Sequence, residues 1–80
     1  MEVLLARKEL NEKPKKVQVS KLIDELKESG EKIFYFDKEN SHKDMMALVD
    51  AFEAEEFNVY FREIRYGLAD DEYMYEVHSL

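Results

Sequence analysis

The amino-acid sequence predicts one α+β domain over residues 1–80, with two helices and a mixed sheet of four or five strands. Apolar residues recur at helical spacing in two segments and cluster or alternate in several others, and the connections between segments are short. Apolar residue types make up 45% of the chain, including five Phe and five Tyr, which is enough to form a core. We expect the order strand, short strand, helix, strand, helix, strand, strand.

The N-terminal segments predict a strand, a loop and a second, short strand. Residues 1–10 begin with an apolar cluster, whereas residues 11–16 are polar and contain the only proline. Val17 and Val19 then flank the polar Gln18 with period two. This alternation indicates a short extended piece that could pair with the opening strand.

Two amphipathic segments predict the helices. Ser20 is the expected N-cap of the first helix, and Gly30 is its expected left-handed C-cap. Ser41 is the expected N-cap of the second helix, with Asp44 three residues later in a capping-box-like arrangement. The apolar stripes are Val19, Leu22, Ile23 and Leu26 in the first helix and Met45, Leu48, Val49 and Phe52 in the second.

The remaining strands follow from their apolar patterns. Residues 33–36 are apolar at every position, which predicts an interior strand covered on both faces. Residues 57–66 alternate with period two except near 62–63, where a bulge would explain the slip. An acidic loop over residues 67–72 leads to alternating apolar residues in 73–77, so the last two strands form a hairpin.

Charge is distributed unevenly along the chain. Asp and Glu total 19 against 12 Lys and Arg, which gives a formal net charge of −7. After Lys43, ten acidic residues face only two basic ones, Arg62 and Arg65. The C-terminal half therefore carries the negative field. This balance argues against direct nucleic-acid binding, because such proteins neutralise phosphates with Lys and Arg.

Targeting signals and common catalytic motifs are not recognisable in the sequence. No apolar run approaches the roughly 20 residues that span a bilayer, and we find no signal-peptide pattern and no cysteine. We expect a cytoplasmic protein without disulfides. No metal-binding motif links His42 and His78. We therefore predict no catalytic residue, cofactor or metal, and keep a small metal-dependent or hydrolytic enzyme using either histidine as a third hypothesis.

The leading hypothesis is a non-enzymatic module whose acidic side chains bind a basic surface of another protein, such as one that binds DNA or RNA. Acids near the C-terminal end of the second helix oppose its dipole by a few tenths to about 1 kcal/mol each, so local stability does not explain them. Carboxylates in such a row approximate the phosphate spacing of one DNA strand. The predicted partner-binding residues are Asp50, Glu53, Glu55, Glu56, Glu63, Asp70, Asp71 and Glu72.

This short, cysteine-free, strongly acidic α+β profile resembles the small phage-encoded inhibitors that mimic DNA or occupy basic sites on host proteins. The resemblance is one of composition and matches no motif. It implies capture and competitive inhibition of a nucleic-acid-binding protein.

The second hypothesis is a small homodimeric structural protein whose acidity is incidental. Ala47, Ala51 and Ala54 form a strip of small residues that another element could approach closely. Tyr73 and Tyr75 belong to a tyrosine-rich hairpin, and tyrosine is enriched at protein interfaces. These five residues are the predicted candidates for self-association.

Overall fold

The computed structural model describes residues 1–7, 11–68 and 72–80. Its elements confirm the predicted α+β class and both helices. No helix in these three ranges is long and apolar enough to cross a membrane. In chain order the elements are β1 (Glu2–Leu4), β2 (Lys16–Gln18), α1 (Val19–Ser29), β3 (Lys32–Asp37), α2 (His42–Ala54), β4 (Val59–Arg65) and β5 (Tyr73–Ser79).

The strands form two antiparallel sheets rather than the predicted single mixed sheet. β1 pairs with β2, while the other three strands lie in the order β3-β5-β4. β3 and β4, connected through α2, run parallel to each other as the crossover predicts. However, β5 lies between them, so every neighbouring pair is antiparallel. A bridge between Leu5 and Phe36 links the two sheets.

β3 is an edge strand covered on one face, so the prediction of an interior strand is wrong. Phe34 and Phe36 are buried, whereas Ile33 and Tyr35 are 45% and 44% exposed. Successive side chains of a strand point to opposite faces. The continuous apolar run therefore combines a core face with an apolar face that remains uncovered.

β4 pairs with β5 without the predicted bulge. The register is continuous from Val59 opposite Ser79 to Arg65 opposite Tyr73. Glu63 interrupts the apolar alternation but keeps its place in the ladder, where it is exposed and its carboxylate lies 3.4 Å from the Arg65 guanidinium. The interruption of the apolar pattern therefore reflects a polar residue in a regular strand.

α1 begins two residues earlier than its sequence suggests. Its N-cap is Gln18, which makes no side-chain capping hydrogen bond, and Ser20 lies within the first turn. Gly30 has a φ of 79°, and its N–H donates to the Leu26 carbonyl at 2.7 Å. The left-handed C-cap is confirmed, whereas the serine cap is wrong.

The start of α2 agrees with its prediction. The Ser41 hydroxyl oxygen accepts a hydrogen bond from the backbone N–H of Asp44 at 3.1 Å. The carboxylate of Asp44 lies in the first turn, where the helix dipole favours a negative charge. This cap fixes where α2 begins after the loop that follows β3.

Both helices contribute to one core on a single face of the three-stranded sheet. The Phe34 and Phe52 rings, from β3 and α2, have centroids 5.9 Å apart, and Leu26 from α1 is completely buried. Burial of these side chains is the main stabilising contribution to folding. The buried apolar residues are Val3, Val19, Leu22, Leu26, Phe34, Phe36, Met45, Leu48, Phe52, Tyr75 and Val77.

Candidate functional site

The C-terminal part of α2 brings together four of the predicted acidic residues. Asp50 and Glu53 are exposed on the helix, and Glu55 and Glu56 directly follow its last residue. Within the described ranges, Asp50, Glu53 and Glu56 form no ion pair with a basic side chain. Their negative charges are therefore directed to solvent. We call these four residues the α2 acidic cluster.

One member of the α2 acidic cluster also links the two helices. The Glu55 carboxylate accepts a hydrogen bond from the Lys27 ammonium near the end of α1, which raises the pKa of Lys27. Both side chains remain substantially accessible to water. This pair neutralises part of the charge and leaves the other three carboxylates as the free anionic groups.

Glu56 has a backbone conformation that is unusual for a residue with a side chain. Its φ is 70°, in the left-handed region, and its N–H donates to the Glu53 carbonyl at 2.9 Å. The next residue, Phe57, donates its N–H to the Phe52 carbonyl at 3.3 Å, which completes the helix end. Glycine is the usual residue at this position because it has no Cβ. The acidic side chain is present here despite its conformational cost.

The other predicted acids lie in or near the hairpin and have different environments. Glu63 is exposed on β4 beside Arg65, whereas Glu72 is half-buried. The Glu72 carboxylate lies against Gly67, where an added Cβ would overlap the Glu72 Oε2 atom. Asp70 and Asp71 lie outside the described residues.

The residues predicted for self-association are divided between surface and core. Ala47 and Ala54 are exposed, but Ala51 is half-buried and packs against the core. Tyr75 is buried and Tyr73 half-buried, with their rings in an edge-to-face contact at 5.7 Å. Burial raises the pKa of Tyr75. Both rings lie on the face of the sheet that the helices cover.

The opposite face of the three-stranded sheet bears a surface that sequence reasoning missed. One row across it contains Tyr35, Glu76 and Arg62, from β3, β5 and β4 respectively. The Arg62 guanidinium Nε donates to Glu76 Oε1 at 2.8 Å. The hydrogen bond from Arg62 and the positive charge of its guanidinium lower the pKa of Glu76. A charge pair therefore lies at the centre of this face.

The adjacent row is more apolar. It contains Ile33, His78 and Tyr60, and the Tyr60 side chain is 62% exposed. The His78 Nε2 atom lies 2.7 Å from Glu31 Oε1, and its ring centroid is 6.2 Å from that of Tyr60. Alternation of polar and apolar residues along β5 is the sequence signal that could have identified this open face.

The two histidines lie on opposite sides of the sheet. The His42 ring packs edge-on against Phe61, whose neighbour across the ladder is the buried Val77. His78 instead packs beside Tyr60 on the open face. Among the described residues, no group of three His, Cys, Asp or Glu side chains could hold a metal ion. The hypothesis of an enzyme using either histidine stays a prediction, and the two share no site.

A nearly buried ion pair joins the segment that follows β1 to the last residue of β3. The Arg7 guanidinium binds Asp37 through two hydrogen bonds of 2.8 Å, and the exposures of the two side chains are 15% and 6%. These bonds, assisted by the Glu39 N–H, lower the pKa of Asp37. Because each charge is satisfied by the other, the pair acts as a structural connection.

Asn40 completes this connection. Its Oδ1 atom accepts from the Leu4 N–H at 2.9 Å, and its Nδ2 donates to the Leu4 carbonyl at 2.7 Å. The same Nδ2 also donates to the Asp37 carbonyl at 2.9 Å. The buried amide thus satisfies the backbone of β1 much as a neighbouring strand would.

Comparison with known proteins provides one assignment. No curated protein and no solved structure matches the chain at a significant level. A family model described as HP0268 matches residues 1–80, so the chain belongs to the HP0268 family.

Proposed function

We propose that this protein is a non-enzymatic cytoplasmic module that binds a basic surface of another protein through the α2 acidic cluster. The partner is a DNA- or RNA-binding protein, and occupation of its basic surface excludes the nucleic acid. The observation that carries the proposal is the set of three exposed carboxylates, Asp50, Glu53 and Glu56, without ion pairs in the described part of the chain.

The position of these carboxylates supports selection for binding rather than for stability. The C-terminal end of a helix carries a partial negative charge, which disfavours acids in the last turn. α2 has no basic residue in its last turn to compensate. The left-handed backbone of Glu56 adds a further cost. Neutral residues at these positions would remove the unfavourable interaction with the helix end, and glycine at position 56 would remove the backbone cost.

The spacing of the charges fits competition with a nucleic acid. Asp50 and Glu53 are three residues apart, about 4.5 Å along the helix axis, and a DNA strand presents phosphates at about 3.4 Å of axial rise. The net charge of −7 accelerates encounter with a basic partner and makes binding sensitive to salt. The carboxylates of α2 would therefore take the place of the nucleic-acid phosphates on the basic surface of the partner.

A charge-reversal experiment tests this proposal. One variant carries Asp50→Lys, Glu53→Lys and Glu56→Lys, and a matched control carries Glu12→Lys, Asp24→Lys and Glu28→Lys. All six residues are exposed, and both variants change the net charge equally. The native protein is immobilised, a lysate is applied at low salt, and proteins eluted by a salt gradient are identified and purified.

The proposal expects a basic nucleic-acid-binding protein that binds the native chain and the control but not the α2 variant. Addition of the native chain should also displace DNA or RNA from that protein. Equal loss of binding by both variants would indicate that binding depends on net charge rather than on a specific site. Retention of binding by the α2 variant, with its fold intact by circular dichroism, would refute the assignment.

The open face of the three-stranded sheet favours self-association as a second candidate function. Ile33, Tyr35 and Tyr60 are between 44% and 62% exposed there, around the Arg62–Glu76 pair. An apolar surface with both charge signs at its centre suits a second copy of the same chain. Sedimentation equilibrium should show a dimer that Tyr60→Glu dissociates and Ala47→Glu does not. A strict monomer at millimolar concentration would exclude it.

A further inference from the structure

A groove of about 380 Å³ opens between the N-terminal strands, the first half of α1 and the edge of β3. Its apolar lining comes from all of these elements and includes Leu5, Val17, Leu22 and Phe34. Leu22 and Phe34 are core residues, so the floor of the groove is part of the rigid interior. The groove lies on a different part of the molecule from the α2 acidic cluster.

The walls of the groove are basic, in contrast to the protein as a whole. Lys15, Lys16, Lys21 and Lys32 all line it, and Glu25 is the only acidic residue among its described lining residues. Glu25 is already bound by the Lys32 ammonium at 3.1 Å, and that ammonium also lies 5.4 Å from the centre of the Phe34 ring. Lys15, Lys16 and Lys21 form no ion pair with a carboxylate of the described ranges. Three ammonium groups are therefore available to an anionic ligand.

Part of a sheet edge lies beside the groove, at Ile33, between the lining residues Lys32 and Phe34. Residues 5 and 6 cover the outer edge of β3 at Phe36 and Tyr35, through the bridge to Leu5 and the hydrogen bond from the Ala6 N–H to the Tyr35 carbonyl. The backbone groups of Ile33 point to the same edge as those of Tyr35, because alternate residues of a strand share one side. In the described part of the chain, no strand covers this edge at Ile33.

We propose that this groove binds a short, extended, acidic peptide segment of a partner protein. The segment adds to β3 at Ile33, its carboxylates bind Lys15, Lys16 and Lys21, and its alternate apolar side chains contact the floor. Edge addition supplies backbone hydrogen bonds, while pockets for alternate side chains supply specificity. This site is independent of the proposed function of the α2 acidic cluster.

The observations favour a peptide over a nucleic acid. A polyanion longer than the groove would meet a protein of net charge −7, whereas a short acidic segment contacts only the lysine-lined walls. Apolar side chains of a peptide also match the floor formed by Leu5, Val17 and Leu22. A sugar–phosphate backbone has no such groups.

The test measures binding of fluorescent probes by anisotropy at low salt. The main probe is an acetylated, amidated Asp-Val-Asp-Val-Asp peptide, and the control peptide has Lys in place of Asp. A third probe is the acidic peptide N-methylated at its two valines, and a fourth is a single-stranded DNA hexamer. The protein variants are Lys21→Glu in the groove and Lys43→Glu as a matched control. Both lysines are exposed in the first turn of a helix.

We expect the acidic peptide to bind and the basic peptide not to bind. Lys21→Glu should weaken binding by about tenfold, which corresponds to 1.4 kcal/mol, and Lys43→Glu by less than about twofold. N-methylation should also weaken binding at least about tenfold, because it removes backbone donors. Equal effects of the two lysine variants, unchanged binding of the methylated peptide, or tighter binding of the DNA hexamer would each overturn the proposal.

Discussion

Replacement of Glu56 by glycine should stabilise the protein. A left-handed backbone costs a residue with a Cβ about 1–2 kcal/mol, and an acid at a helix C-terminus costs about 0.3–1 kcal/mol more. Glycine removes both costs but loses about 0.5–1 kcal/mol through the greater freedom of the unfolded chain. With the φ of 70° at this residue, we expect a net gain of about 1 kcal/mol. For a domain of this size, the melting temperature should rise by about 4–8 °C.

Urea unfolding, followed by the fluorescence of the five tyrosines, measures this gain because the chain has no tryptophan. Glu56→Ala is the matched control, since it removes the carboxylate but keeps the Cβ. The difference between the glycine and alanine variants isolates the backbone contribution, and the slope against urea should not change. If Glu56→Gly were no more stable than Glu56→Ala, the cost of the left-handed backbone would not exceed the entropy that glycine loses on folding, and the reasoning would be wrong.

Three further results are expected. Asn40→Ala should lower the free energy of unfolding by about 2–3 kcal/mol, because the half-buried Leu4 backbone loses the partners of both its N–H and its carbonyl. A urea midpoint close to the native value would contradict this. The pKa of Asp37 in the folded protein lies below its usual value, so its contribution to the free energy of unfolding is present near neutral pH and is lost as the pH falls through that pKa. Asp37→Asn should therefore flatten the acid limb of a stability–pH curve. Phe52→Ala should cost about 3–5 kcal/mol in calorimetry, whereas Ala47→Ser on the exposed side of the same helix should cost less than about 0.5 kcal/mol.

Local patterns predicted most of the elements, because the interactions that define them are local. Gly30 ends α1, and Ser41 starts α2, through hydrogen bonds within a few residues. The N-cap of α1 could not be identified in this way. The chain enters that helix directly from β2, and the Val19 N–H donates to the Met1 carbonyl instead of requiring the expected Ser20 cap.

Sheet order and the open face depend on contacts between distant residues. Ile33 and Tyr35 suggested a fully covered strand because their apolar character does not reveal which face the helices occupy. Likewise, nothing near Asp37 in the sequence indicates its pairing with Arg7. The α2 acidic cluster was predictable as a set because its members lie on one helix and its immediate end, whereas the lysine groove draws its residues from separate elements.

The central position of β5 has a consequence for how the protein folds. β3 and β4 have no neighbour in their sheet until the last strand along the chain is available, since Lys32 and Val59 both meet Ser79. β4 and β5 form a hairpin, but the pairing of β3 with β5 requires contacts between residues far apart in sequence, which slows folding. A truncation within β5 would therefore remove the strand that pairs with both β3 and β4. The two strand pairings of this sheet should then be lost together rather than one after the other.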